Sequence, residues 1–224
     1  MKDKLNVLYE DNHIIVVIKP CNILSQSDIT GDIDMLSLVK SYIKEKYNKP
    51  GNVYIGLVHR LDRPTGGIMV FARTSKAASR LSDEIKNNKM NKSYLAVVPN
   101  FHSKSGTYTD YLEKKDNGNT IVTDKDHGKY AELNYELISE KDNLSLVKIN
   151  LITGRHHQIR VQFSLRGYSL YGDQRYGKDD KKQLALFCYK LEFTHPVTKE
   201  KLTFTSYPDY GIFNEFKECY NGKQ

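Results

Sequence analysis

Short runs of β-branched and aromatic residues, each stopped by Pro, Gly or Asn, recur along this chain, and a sheet is the only way to bury so many of them. Leu5–Tyr9 is a first short strand candidate, and His13–Ile18 is a second, ended by Lys19-Pro20 because Pro cannot donate to a ladder. Asn52–Val58 and Ile68–Ala72 flank the loop His59–Gly67. Asn91–Val98 is stopped by Pro99, Ala131–Ile138 and Leu144–Ile152 read as paired strands, and Leu184–Phe193 and Lys201–Thr205 are separated by a His195-Pro196 turn. Phe101–Lys129, with Asp116-Asn117-Gly118-Asn119 as its turn, predicts an exposed hairpin. Helical spacing shows in three places. Leu36, Val39, Ile43 and Tyr47 follow a cap at Asp32, and Ala77, Ala78, Leu81 and Ile85 follow Thr74-Ser75 and run to about Asn88. Ile159, Phe163 and Arg166 share a face before Gly167, and His156 and Arg160, four apart, point to one side. Tyr168–Lys182 is a Gly- and Asp-rich loop. With no repeat, linker or composition break, the expectation is an α+β fold: one domain over residues 1–224, with a mixed, largely antiparallel sheet and flanking helices.

The 224 residues can bury a sizeable core, and 39% are hydrophobic, which sets the chain apart from disordered and collagen-like sequences. The formal net charge of +7 is spread, with no run of five like charges; such a field suits a polyanion. Cys21, Cys188 and Cys219 are odd in number, far apart and in no CxxC, which argues against a disulfide framework or structural zinc and for a reducing, cytoplasmic setting. Neither a signal-peptide core nor an apolar stretch of membrane-spanning length is visible.

The loop His59-Arg60-Leu61-Asp62-Arg63-Pro64-Thr65-Gly66-Gly67 holds one carboxylate between two guanidinium groups, on a turn that needs no such charges. Pro64 biases Arg63 to extended backbone, and the Gly pair lets the chain bend or be approached closely. Two further segments stand out: Lys92-Ser93-Tyr94-Leu95-Ala96 and Thr153-Gly154-Arg155-His156-His157-Gln158-Ile159-Arg160. In that order the three resemble the signature motifs of the RluA-type RNA pseudouridine synthases. Lys19-Pro20, Gly172-Asp173 with Tyr176-Gly177, and Leu191-Glu192-Phe193-Thr194-His195-Pro196 are similar to the family's remaining motifs, so the likeness runs from about Leu8 to Pro208.

The resemblance implies isomerisation of uridine to pseudouridine in ribosomal or transfer RNA. The bond from base to sugar breaks, the base turns, and it rejoins through carbon, with no cofactor and no metal. Such chemistry needs an ionised carboxylate below the sugar, either attacking the anomeric carbon or acting as a base beside it. By resemblance that carboxylate is Asp62, Arg160 is the cation that keeps it charged, and Tyr94 stacks on the flipped base and handles a late proton. Leu186 would pack on the target base, and Arg60 would fill the space the uridine leaves or grip phosphate. Arg155, with Arg63 and Lys92, would contact the RNA backbone. His59, His156 and His157 are expected to be hydrogen-bonded structural residues, since no third ligand lies at a metal-site spacing.

The sequence departs from the family pattern at Gly66, where relatives carry Ser, at Cys21-Asn22 after Lys-Pro, and at Phe187-Cys188 after Leu186. No small RNA-binding domain is expected before the catalytic part, so the implied partner is a short RNA stem-loop read by a monomer, with neither DNA nor membrane involved. The rival reading keeps the fold as an RNA-binding or chaperone protein without turnover. A glycoside hydrolase using Asp62 would need a second carboxylate.

Overall fold

The computed structural model describes residues 5–177 and 181–220; residues 1–4 of the N-terminal lead and 178–180 of the Gly- and Asp-rich loop lie outside that set. The chain divides into two compact units, Met1–Met90 with Lys190–Ser206, and Asn91–Tyr189 with Tyr207–Gln224.

In the first unit β1 (Asn6–Glu10) pairs antiparallel with β2 (Ile14–Lys19), and β2 pairs with β4 (Gly66–Ala72) from Ile14↔Ala72 to Lys19↔Gly67. Every residue of β4 is buried, as are Ile14 to Val17 of β2, so these strands read as continuous apolar runs rather than alternating ones. One face packs Ile14, Val16, Ile68 and Val70 with Leu191 and Phe193 against Ala77 and Leu81 of helix α2 (Ser75–Lys86). Thr74 caps α2 as the sequence predicts, its hydroxyl accepting from the Ala77 amide at 3.1 Å. The late part of β10 (Leu186–Thr194) pairs with β11 (Lys201–Thr205).

Two expectations need correcting here. Helix α1 (Met35–Lys46) is capped by Asp34, not Asp32: the Asp34 carboxylate takes both the Ser37 amide and its hydroxyl, which an Asp two positions earlier does not reach. Its buried face is therefore Met35, Val39 and Ile43, with Leu36 half-buried and Tyr47 exposed. The strand expected over Asn52–Val58 shrinks to β3 (Gly56–Leu57), paired only with Ala72 and Phe71. Strand β2 fills one edge of β4, and the other edge is shared between β3 and β10, leaving no ladder for a longer strand.

In the second unit the order is β5-β9-β8-β6-β7, all antiparallel: β5 (Asn91–Pro99), β6 (Ser105–Lys114), β7 (Thr120–Thr123), β8 (Lys129–Lys141) and β9 (Leu144–Leu151). Strands β6 and β7 form the predicted hairpin around Asn117-Gly118, with Lys114 opposite Thr120. Phe101 and Tyr108 each pack edge-on or tilted on Tyr135 and Phe163, with ring centroids 4.6 to 5.6 Å apart, and fix helix α3 (Gln158–Leu165) to the sheet. A 3₁₀ helix, Gly211–Cys219, which the spacing did not suggest, buries Phe213 and Phe216. No helix among the described residues is long and apolar enough to cross a membrane.

Candidate active site

Asp62 sits on the loop between β3 and β4 in the first unit, half-buried, with Leu61 buried on one side and Arg63 exposed on the other. Its carbonyl accepts from the Thr65 amide at 3.0 Å, closing the turn that Pro64 and the following glycines allow, and Gly67 takes a φ of +129° that disfavours any side chain. The last residue of β2 and groups that follow it hold the loop. The Ser25 hydroxyl donates to the Leu61 carbonyl at 2.7 Å and accepts from the Leu61 amide at 3.1 Å. The Lys19 ammonium donates to the carbonyls of Arg63 and Pro20, each at 3.0 Å, and the Asn22 amide reaches Arg63 O at 2.8 Å. Lys19 is wholly buried, and burial pushes its pKa down to about 8 against the opposing pull of Cys21 and Asp62. From the sequence Lys19 reads as the end of a strand and as part of a Lys-Pro motif, with no role for its ammonium. Its ladder partner Gly67, the start of the Gly-rich turn, was the available signal.

In the second unit the Thr-Gly-Arg segment folds on itself before α3 begins. Thr153 Oγ1 accepts from the Glu132 amide at 2.8 Å and donates to Gln158 Oε1 at 2.9 Å. The same Gln158 oxygen accepts from the Arg155 amide, and its Nε2 donates to the Glu132 carbonyl at 3.0 Å. A Thr and a Gln five apart are thus one buried hydrogen-bonded staple onto β8. It delivers Arg160, 5% exposed, on the first turn of the helix. Arg160 makes a bidentate pair with Asp173, Nε to Oδ2 at 2.8 Å and Nη2 to Oδ1 at 2.7 Å. Asp173 Oδ1 also accepts from the amides of Arg175 and Tyr176, and Gly172, at φ +74°, passes against the Gln183 backbone where a Cβ would collide. The Gly-Asp…Tyr-Gly motif is therefore the seat of Arg160, a role the sequence alone did not assign.

Around that seat the histidines differ from expectation in one respect. His157 takes left-handed backbone (φ +51°) just before the helix, so His156 lies outside α3 and its position four before Arg160 sets no common face. The two imidazoles stack, centroids 3.7 Å apart and planes 28° from parallel. His156 Nδ1 meets Thr120 Oγ1 at 2.8 Å and His157 Nδ1 meets the Tyr176 hydroxyl at 2.7 Å, while that hydroxyl accepts from the Thr120 amide at 2.9 Å. Burial, then the Arg160 charge, lowers the His157 pKa to about 2, which keeps it neutral. The Arg160 guanidinium lies 5.2 Å from the Tyr176 ring centroid. In the first unit His59 Nε2 accepts from the Val70 amide at 3.1 Å, so all three motif histidines carry hydrogen bonds.

The remaining candidates fall in both units. Arg60 is exposed on the Asp62 loop, and Arg63 pairs with Asp32 at 2.7 Å on the surface. Tyr94, buried, stands on β5 opposite Ile149, and Leu186, buried, opens β10. Arg155 is exposed, its Nε donating to the Tyr130 carbonyl at 2.7 Å, so part of its donor capacity serves the loop rather than a ligand. Lys92 is lowered in pKa by burial, opposed by Cys188.

The Asp62 loop, the Tyr94 strand and the Arg160 helix are the three segments that the sequence singles out by resemblance. The sequence profile described as RNA pseudouridylate synthase matches residues 13–165, and the chain belongs to that family. It is 38% identical over 225 residues to a protein of Mycoplasma genitalium called an uncharacterized RNA pseudouridine synthase, covering 92% of this chain and 69% of that one. It is 34% identical over 197 residues to ribosomal large subunit pseudouridine synthase D of Borreliella burgdorferi, covering 83% of this chain and 60% of the relative. Among solved structures, human RNA pseudouridylate synthase domain containing 4 superposes with a TM-score of 0.78 at 20% identity, covering 96% of this chain and 93% of the other. That likeness places the fold with the pseudouridine synthases.

Proposed function

We propose that this protein isomerises uridine to pseudouridine in RNA, with ribosomal RNA as the first substrate to test and transfer RNA the second, as a cytoplasmic monomer recognising a stem-loop. The observation that carries the reading is the Asp62 loop: a half-buried carboxylate on a turn whose two flanking residues are fixed by hydrogen bonds from another segment. A carboxylate that must meet a sugar carbon gains most from such prior placement, because orientation fixed in advance removes entropy from the barrier. In this reading Asp62 is the reacting carboxylate, Tyr94 faces the uracil, and Arg160, oriented by Asp173, supplies positive charge for the anionic centre. Leu186 packs on the base, and Arg60 and Arg155 contact the RNA. Relatives named for ribosomal large subunit modification support that choice of RNA.

Tritium released from RNA labelled at uracil carbon 5 tests the reading, because rejoining the base through that carbon frees the label. The wild-type protein should release it from ribosomal RNA, and Asp62→Asn should lower release by at least about a thousandfold with RNA binding retained. Binding without release in the wild type would instead favour an RNA-binding protein of this fold.

A further inference from the structure

Around the Thr-Gly-Arg and Gly-Asp motifs of the second unit the arginines give donors to the protein itself. Arg155 donates to the Tyr130 carbonyl, Arg160 to Asp173 and Arg175 to the Gly118 carbonyl. Lys92 does not. It stands two residues before Tyr94 on β5, half-buried, and among the described residues no hydrogen bond or ion pair ends on its ammonium. The strand fixes where it points. Ser93 turns to the opposite face, where its hydroxyl donates to Asn150 Oδ1 at 2.9 Å, so Lys92 and Tyr94 share a face. The ammonium ends against Gly154: a Cβ on that glycine would stand 3.2 Å from Nζ, a crowded contact. Gly154 is exposed, and having no side chain it leaves the ammonium uncovered on that side. Burial lowers the pKa of Lys92, with Cys188 opposing. A cation drawn out of water without an acceptor costs stability, and an arriving anion repays that cost.

We propose that Lys92 is a substrate-binding residue for a single phosphate, that of the phosphodiester adjoining the target uridine, which it grips while Tyr94 faces the base. The proposal rests on the reading of Tyr94 as the residue that meets uracil. Positions i and i+2 of a strand lie about 6.5–7 Å apart, the scale that separates a nucleobase from the phosphate of its own nucleotide. A base on Tyr94 therefore brings its own phosphate within reach of Nζ. A uridine turned out of its stack has given up its neighbours, and a charge-assisted contact to its phosphate holds it where stacking no longer does. Lys92 is thereby assigned one linkage rather than a share in a general basic surface.

The experiment uses the stem-loop around the uridine that the wild-type protein modifies, made with natural linkages or with one neutral methylphosphonate on the 5′ or the 3′ side of that uridine. KM comes from tritium release. Kd is measured over a range of salt in the Asp62→Asn background, with Lys92 intact or replaced, so that the RNA is not converted. Lys92→Met should raise KM and Kd about tenfold or more and lower the slope of log Kd against log salt by about 1. Lys92→Arg keeps the charge and should restore the slope. With Lys92 intact, one of the two methylphosphonates should weaken binding about tenfold; in Lys92→Met the same linkage should cost less than about twofold. The thermal midpoint of Lys92→Met should equal or exceed that of wild type, because Met needs no counter-charge, and Lys92→Gln stands in should the Met variant not fold. Equal methylphosphonate penalties with and without Lys92 at both linkages, or an unchanged salt slope, would overturn the assignment. A wild-type protein that releases no tritium from ribosomal or transfer RNA would overturn the reading of the site itself.

Discussion

The Asp62 loop of the first unit and the Arg160 helix of the second are made rigid by opposite means. Around Asp62 the bonds from Ser25, Lys19 and Asn22 end on main-chain atoms of residues 61 and 63. Arg160 is held by its own guanidinium in the bidentate Asp173 pair, and side-chain groups of Thr153, Gln158 and Asp173 make the surrounding bonds, to one another and to nearby amides and a carbonyl. On the proposed roles of Asp62 and Arg160, the difference follows from what each side chain does. A group that must present its own atoms to a substrate is best held through its backbone, whereas a cation that orients charge can be held by its own nitrogens.

The largest expected effect tests the second arrangement. Asp173→Ala removes the carboxylate from a buried bidentate pair and should cost about 3–5 kcal/mol in denaturant unfolding, while Asp62→Asn should leave stability within about 1 kcal/mol. Equal costs would erase the contrast. Gln158→Ala strips three hydrogen bonds from a buried staple and should cost about 2–3 kcal/mol; a loss below about 0.5 kcal/mol would show that the Thr-Gly-Arg segment holds itself without it. Tyr176→Phe keeps the ring beside Arg160 but loses the bonds to His157 and Thr120, about 1 kcal/mol in the same assay, and a neutral result would remove this tyrosine from the scaffold. Smallest is Arg63→Ala. Its exposed bridge to Asp32 should contribute less than about 1 kcal/mol, and its carbonyl remains for Lys19 and Asn22. A larger loss, measured by urea midpoint, would mean that the side chain rather than the backbone secures the loop.

Much of this was legible before any coordinates. The runs at His13–Ile18, Ile68–Ala72 and Asn91–Val98 became β2, β4 and β5 because burial on the sheet selects such residues wherever they occur, and the Asn117-Gly118 hairpin followed from turn chemistry. Asp32 against Asp34 was a local ambiguity that Ser37 resolved by offering the cap two donors. The left-handed His157 was not legible, since only Gly or Asn advertises that backbone, and it redirected both imidazoles. Lys19 was hidden for a different reason. A lysine at the end of an apolar run reads as a strand leaving the core, and only the carbonyls it meets, one of them forty-four positions away, turn it inward. Asp173 was visible as part of a motif, but it lies thirteen positions after Arg160, beyond the end of α3 and a loop that no periodicity describes.

Because the grip on residues 61 and 63 falls on peptide groups, the identities of neighbouring side chains are left open to change. Arg60 and the Arg63 side chain can be exchanged while the aspartate stays where it is, so drift in the preferred RNA need not pass through variants with damaged chemistry. A randomised library at those two positions is accordingly a short route to new target sites on the same catalyst.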